Sequence, residues 1–291
     1  MIHTLNETYV LMCRELKRWY RSKVLLIATI IQPVLWLGLF GKAMNITGMF
    51  NIPEEILEEL PPSLTSKLSI LFNSIIKEYF GVANIDYFSY MAMGMITVII
   101  LFTSMFSGMS IVWDRRFGFL NKLLVAPISR SSILLSRVFA SVIRALVQAF
   151  LISLIALAFG LKLNICNNPV VIPLAILTLI LLAVGLSSFF IAIAARIKSW
   201  EVHAGVMNLI NMPLMFSSNV LYPKKLMPNW LKGIASVNPL SFTADILRQA
   251  FLYGSNANLS QILLDFEAIL IFSLLLTSIC ILIANKALKE I

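Results

Sequence analysis

Long apolar stretches separated by short polar intervals dominate the chain. Six stretches reach membrane-spanning length: Val24–Phe40, Ser89–Val112, Val138–Leu161, Val170–Ala195, Ala204–Tyr222 and Leu263–Ala284. A helix needs about 20 mostly apolar residues to cross a bilayer. Continuous apolarity without period-two alternation predicts helices rather than barrel strands. The pattern therefore predicts an all-α integral membrane protein with six transmembrane helices. The first run is the shortest and is broken by Gln32-Pro33.

The intervals carry patterns of their own. In residues 1–23, Leu5, Tyr9, Met12, Leu16, Trp19 and Tyr20 share a stripe at helical spacing, and Arg14, Lys17, Arg18 and Arg21 fall largely off it. An apolar face opposite a basic one predicts a helix lying in the cytoplasmic membrane interface. The outer loop 41–88 holds an acidic stretch, Pro53 to Glu59, a Pro61-Pro62 break, and a second stripe of Leu64, Leu68, Leu71, Phe72, Ile75, Ile76 and Tyr79. Segment 223–262 is punctuated by Pro223, Pro228 and Pro239. Around Leu226, Trp230, Leu231 and Ile234, and again from Pro239 to Phe251, it predicts short helices of the re-entrant kind on the outer side, buried in protein or lining a cavity. The interval 113–137, WDRRFGFLNKLLVAPISRSSILLSR, is polar, basic and partly helical.

Composition fixes the orientation. The chain is 59% hydrophobic and only 13% charged, with a net charge of +9; an ordinary soluble domain carries about 25% charged residues. Fifteen Lys and Arg fall on the side of the amino terminus and eight on the other. The positive-inside rule then places both termini in the cytoplasm of a multi-pass cell-membrane protein. No aromatic-basic module supports a nucleic-acid partner. Cys13, Cys166 and Cys280 have no metal or disulfide spacing,.

Several chemistries lack their parts. There is no phosphate loop: Gly41-Lys42 is followed by Ala43,. The only histidines are His3 and His203, and no acid cluster lies within a span to hold a metal. Asp265 and Glu267 are expected close to water at the start of the sixth span. Arg144 is the only ionisable residue well inside a span, and from the inner edge its side chain is expected to snorkel to water. An ion-coupled carrier usually needs more than this at mid-membrane. The reading is a transport body without an engine.

Residues 90–130 carry a resemblance. The apolar run Tyr90–Val112 followed by W-D-R-R-F-G-F-L-N-K-L-L-V-A-P-I-S-R resembles the signature region of type-2 ABC transporter permeases, especially the daunorubicin-resistance permease group. There an acid-Arg pair, a Gly four residues after the acid, a Leu-rich short helix and a Pro-x-Ser-Arg exit recur. The segment Asn208–Tyr222 with Pro223, followed by Asn238, Pro239, Asp245 and Arg248, is similar to the family's second landmark, on the outer side. Arg116 departs from the pattern, standing where many relatives carry an acid or a small polar residue.

The resemblance implies two permease chains, identical or not, with two separate ATPase subunits that hold ATP and Mg; this chain itself binds no cofactor or metal. The loop between spans two and three would carry a cytoplasmic coupling helix seated on the ATPase, through Asp114, Arg115, Arg116, Phe117, Gly118, Leu120, Leu123, Leu124 and Pro127. Charged groups there suit charge-assisted contacts and the leucines an apolar docking face. The pathway would run at the dimer interface, along Phe102, Met105 and Met109 of the second span and Asn208, Asn211, Met215 and Ser218 of the fifth. The expected activity is export of a hydrophobic or amphipathic, drug- or lipid-like cargo by alternating access. A glycan-precursor or ion exporter, a membrane enzyme and a structural subunit are the alternatives.

Overall fold

A computed structural model describes residues 2–23, 27, 31, 34–43, 64, 67, 71, 74, 77–81, 85–197 and 199–287. The acidic stretch 53–59, the Pro61-Pro62 break, most of the second stripe and much of the first apolar run lie outside them.

Among the described residues all regular structure is helical. Helix α1 is Ile2–Arg21, and a π-helical segment covers Leu37–Ala43. Then follow α2 (Tyr87–Arg116), α3 (Phe119–Val125), α4 (Arg130–Ala158), α5 (Val171–Arg196), α6 (Trp200–Phe216), α7 (Asn229–Ala235), α8 (Pro239–Phe251) and α9 (Leu259–Ala287). Four of these, α2, α4, α5 and α9, are long and apolar enough to cross a membrane.

Local chemistry sets the helix starts. Asp86 caps α2 by accepting from the Ser89 amide at 3.2 Å, and Ser129 caps α4 by accepting from that of Ser132 at 3.1 Å. Ser199 caps α6 in the same way through Val202. Each satisfies an amide that the first turn leaves orphaned.

Helix α2 is the centre of the molecule and is buried along most of its length, against α4, α5, α6 and α8. Helix α5 lies between α2 and α9, and α1 packs on α4. Without a hydrophobic force between helices in lipid, small and polar side chains set their approach. Here the Ser187 hydroxyl lies within hydrogen-bonding distance of those of Ser141 at 2.8 Å and Ser104 at 3.1 Å, joining α5 to α4 and α2. Next to Ser104, the Thr103 hydroxyl donates to the Gln148 amide oxygen, again joining α2 to α4. The outer faces of α4 and α9 show Phe150, Leu154, Leu264, Leu274 and Leu282, apolar surface suited to lipid.

Two of the boundaries that differ from the apolar pattern bear on the site. The helix of the second run does not stop at Val112 but continues through Asp114, Arg115 and Arg116. The fifth run, expected to Tyr222, ends as a helix at Phe216, and residues 217–222 form a turn. A remote amide holds that end: Asn238 Nδ2 donates to the Leu214 carbonyl at 2.8 Å, while its Oδ1 accepts from the Leu240 amide at 2.9 Å and starts α8. The turn then lies against α2 at Gly94, where an added Cβ would stand 2.6 Å from the Val220 carbonyl oxygen. Gly94→Val should therefore lower the apparent melting temperature of the detergent-purified chain, by the equivalent of about 1–3 kcal/mol for an overpacked contact. An unchanged melting temperature would show that the turn yields freely.

Candidate functional site

The interval between α2 and α4 is built from the helix ends inward. The Phe117 amide donates to the Trp113 carbonyl, and Gly118 follows at φ 68°. A left-handed residue after a helix end favours glycine, and α3 starts at once with Phe119. Helix α3 ends at Val125, and Pro127, Ile128 and Ser129 lead into the cap of α4. Glu7 of α1 accepts from the Ser129 amide at 3.2 Å and the Ser132 hydroxyl at 3.0 Å. A carboxylate is thus set at the amino end of α4, where the helix dipole favours it.

Asp114 is the hub. It is buried, and its Oδ2 lies 2.6 Å from Arg137 Nη2 of α4 and its Oδ1 3.0 Å from Arg18 Nη1 of α1, with Arg14 at 3.6 Å. Arg137, only 2% exposed, also lies 4.0 Å from Glu15, which pairs with Arg14 at 3.1 Å. Arg14 stacks over Phe119 at 3.7 Å, and Arg18 lies 5.6 Å from the Trp113 ring. The expected basic face of α1 is thus divided: Arg14 and Arg18 turn towards these acids, while Lys17 and Arg21 are exposed. Leu5, Tyr9 and Tyr20 of the apolar stripe face away from the protein.

Arg115 also works within the chain. Its Nη2 donates to the Ala195 carbonyl at 2.7 Å and its Nη1 to that of Ile197 at 3.0 Å, closing the carboxyl end of α5,. Leu120 and Leu123 are buried in the chain's own core rather than offered outward; the Leu124 side chain is outside the described residues. What remains outward is Arg116, Phe117, Asn121, Lys122, Val125 and Pro127, with Phe117 75% and Val125 88% exposed. Val125 had no signal in the sequence, because a short helix rich in Leu and Val on all sides does not declare which side the protein covers.

The residues expected along a pathway divide too. Met105, Met109 and Asn208 line one cavity of about 190 Å³ between α2 and α6, with Phe106, His203, Ala204 and Met207. Phe102, Asn211, Met215 and Ser218 are instead buried in the packing. Asn208 and Asn211, although a turn apart, do not share a surface: Asn208 is exposed, whereas Asn211 is buried with its Oδ1 unpartnered. Sequence reasoning passed over His203, which is buried with neither ring nitrogen hydrogen-bonded.

The second landmark closes the opposite end of α2. Arg248, 0% exposed, donates through Nη2 to the Asn219 and Val220 carbonyls at 2.9 and 3.1 Å, and through Nε to that of Tyr90 at 3.2 Å. Its guanidinium stacks on the Tyr90 ring at 3.5 Å. Asp245 faces Arg248 at 3.3 Å and Lys224 at 2.8 Å. Asn238 and Pro239 begin α8, so all four residues of this landmark meet around the turn after α6. Asp265, expected near water, is buried in α9 and accepts from Gln261, while Glu267 is exposed. Among the described residues no three His, Cys, Asp or Glu side chains gather as a metal site requires.

These features define an all-helical membrane protein with charged clamps at two helix junctions and one short basic-apolar tip left uncovered. The chain belongs to the ABC-2 type transporter family, whose profile matches residues 6–252. It is 30% identical over 256 residues to the transport permease ycf38 of Cyanophora paradoxa, covering 87% of this chain and 76% of that protein. Over 210 residues it is 23% identical to the multidrug ABC transporter permease YbhR of Escherichia coli K12, covering 72% and 54%. It is 21% identical over 180 residues to the daunorubicin resistance ABC transporter permease protein DrrB1 of Streptomyces coeruleorubidus, covering 62% and 63%. The chain is accordingly a transmembrane permease component.

Removing one partner of a buried ion pair strands the other, at a cost of about 3–5 kcal/mol. Asp114→Asn should therefore lower the apparent melting temperature markedly, whereas Arg116→Ala at the exposed tip should change stability by no more than about 0.5 kcal/mol. Equal losses in the two variants would remove Asp114 from its place as the hub.

Proposed function

We propose that this chain is the membrane subunit of an ATP-driven exporter, working as a permease dimer with two ABC ATPase subunits that hold ATP and Mg. In this reading six spans cross the membrane, both termini are cytoplasmic, and the tip between α2 and α4 seats on the ATPase. The observation that carries it is the exposed group Arg116, Phe117, Lys122 and Val125 on a turn fixed from behind by the Asp114–Arg137 pair. An apolar pair rimmed by cations suits a partner groove with an acidic edge. Its rigid backing lets a push on the tip reach α2 and α4 as movement rather than loop deformation.

The division of labour revises the expected contact set. Arg116, Phe117, Lys122, Val125 and Pro127 would touch the ATPase; Asp114, Arg115, Leu120 and Leu123 would position them, and Gly118 would allow the turn. ATP binding would draw two such tips together, and hydrolysis would release them. The cargo is taken as hydrophobic or amphipathic, supported by the Met-lined cavity between α2 and α6 and by the drug-resistance names of relatives,.

Arg116→Glu combined with Phe117→Asp should abolish recovery of the ATPase with the tagged chain in mild detergent, while the chain still inserts and keeps its melting temperature. Intact-complex mass analysis of the unaltered protein should give two copies of each subunit. Undiminished ATPase recovery with the double variant would sink the assignment of the tip.

A further inference from the structure

Arg144 is a buried cation with no ion-pair partner among the described residues. It lies on α4, two turns beyond Arg137, and is 8% exposed rather than extended to water. Its Nε donates to the Ala140 carbonyl at 3.2 Å, and among the described residues no hydrogen bond or ion pair engages its Nη1 or Nη2. Around it, Arg14, Arg18 and Arg137 face only Asp114 and Glu15. With Arg144 the cluster has four cations against two carboxylates; the side chains of Arg14 and Arg18 are 34% and 37% exposed, so the uncompensated charge that burial penalises is that of Arg144. A buried cation without a counter-ion is costly, and more so at a membrane helix.

Beside Arg144 is a cavity of about 80 Å³, lined also by Glu15, Arg18, Trp19, Ser22, Phe106, Met109, Ser110 and Trp113. That is several times the room one water requires. Glu15 faces it, but its carboxylate is already taken by Arg14 and Arg137. Arg18 lines it as well, already paired with Asp114 at 3.0 Å, and the rest of the wall is hydroxyl, indole and apolar. Phe106 and Met109 also line the cavity between α2 and α6, so the two spaces adjoin across those side chains. One is cationic; the other is lined with Met105, Met207 and Ala204.

From this we propose that the Arg144 cavity binds the anionic headgroup of an amphiphile, a phosphate or carboxylate, whose apolar chain lies over Phe106 and Met109 towards the α6 cavity. Arg144 supplies the charge-assisted hydrogen bonds through its free Nη groups. Ser22 holds a hydroxyl at the same wall, whereas that of Ser110 already donates to the Ser107 carbonyl and accepts from Arg137. The headgroup supplies the missing counter-charge, and the methionines accept chains of varied shape. Either a membrane lipid or a single-chain anionic amphiphile meets this chemistry.

The test needs neither ATPase nor transport, so its outcome is separate from that of the exporter reading. Trp19 and Trp113 line the cavity and report through fluorescence quenching by acyl-brominated phosphatidylglycerol or phosphatidylcholine added to the chain in nonionic detergent. The expected result is saturable quenching with half-saturation at roughly tenfold lower mole fraction for the anionic lipid, as the loss of one charge-assisted contact set implies. Arg144→Gln should abolish that preference and Arg144→Lys should retain part of it. Displacement of the lipid by dodecyl phosphate, but not by inorganic phosphate, extends the site to single-chain amphiphiles. Retention of the lipid against dodecyl phosphate assigns the site to two-chain lipids. Equal quenching by the two lipids, a preference surviving in Arg144→Gln, or equal displacement by inorganic phosphate would overturn the proposal. If Arg144→Gln fails to insert, the headgroup preference of the unaltered chain and of Arg144→Lys decides the matter.

Discussion

The burial of Asp114 at the end of α2 is the constraint on which the junction of α1, α2 and α4 depends. A carboxylate so placed must be neutralised within hydrogen-bonding distance, and its two nearest counter-ions come from different helices, Arg18 of α1 and Arg137 of α4. Three elements with little sequence proximity are thereby fixed at one point. With α2 and α4 held together there, the intervening residues have room only for a tight turn and a two-turn helix. Gly118 supplies the turn, and Arg115 secures the same corner to α5. The outward direction of Phe117 and Val125 follows from these restraints, since Leu120 and Leu123 occupy the side towards the core.

The other end of α2 is held by the same chemistry with the signs exchanged: a buried arginine satisfied by carbonyls, by Asp245 and by the face of Tyr90. Tyr90 and Asp114 are separated along the helix by about 36 Å at 1.5 Å per residue. That exceeds a hydrocarbon core of about 30 Å. When α2 spans the bilayer, each clamp therefore stands at or beyond an edge of the apolar slab. Between them are serine and threonine hydroxyls, one glutamine and close-packed apolar side chains. Such a helix is held by charged groups at its ends and by close packing along its middle. Met105 and Met109 face their cavity from the inner part of this stretch.

Much of this was legible in the apolar pattern because the period and length of a membrane helix are set by the bilayer itself. Ser89–Val112, Val138–Leu161, Val170–Ala195 and Leu263–Ala284 all lie on long helices, and the short helices after Pro228 and Pro239 form at those prolines. Side-chain partners were not legible. Nothing in R-E-L-K-R marks Arg18 as a ligand of a carboxylate 96 residues away. Leu120 and Phe117 look interchangeable until the fold buries one of them and leaves the other exposed. The early end of α6 depends on the amide of Asn238, a capping group supplied from beyond the turn, which no local window contains. Arg144 was misjudged for a related reason: a long side chain near a helix end has a route to water only if neighbouring helices leave one open, and α1 and α2 instead surround it.

The order of the charges along the chain bears on biosynthesis. Arg14 and Arg18 emerge from the ribosome before Asp114, and Arg137 emerges after it. When α2 enters the membrane, its terminal carboxylate already has guanidinium groups available from the preceding helix, so α1 can act as a provisional counter-ion. Once α4 arrives, Arg137 takes the inner oxygen, while Arg18 keeps the other and Arg14 stands farther off. The nascent chain thus need not expose an uncompensated acid at the lipid boundary while it waits for its partner.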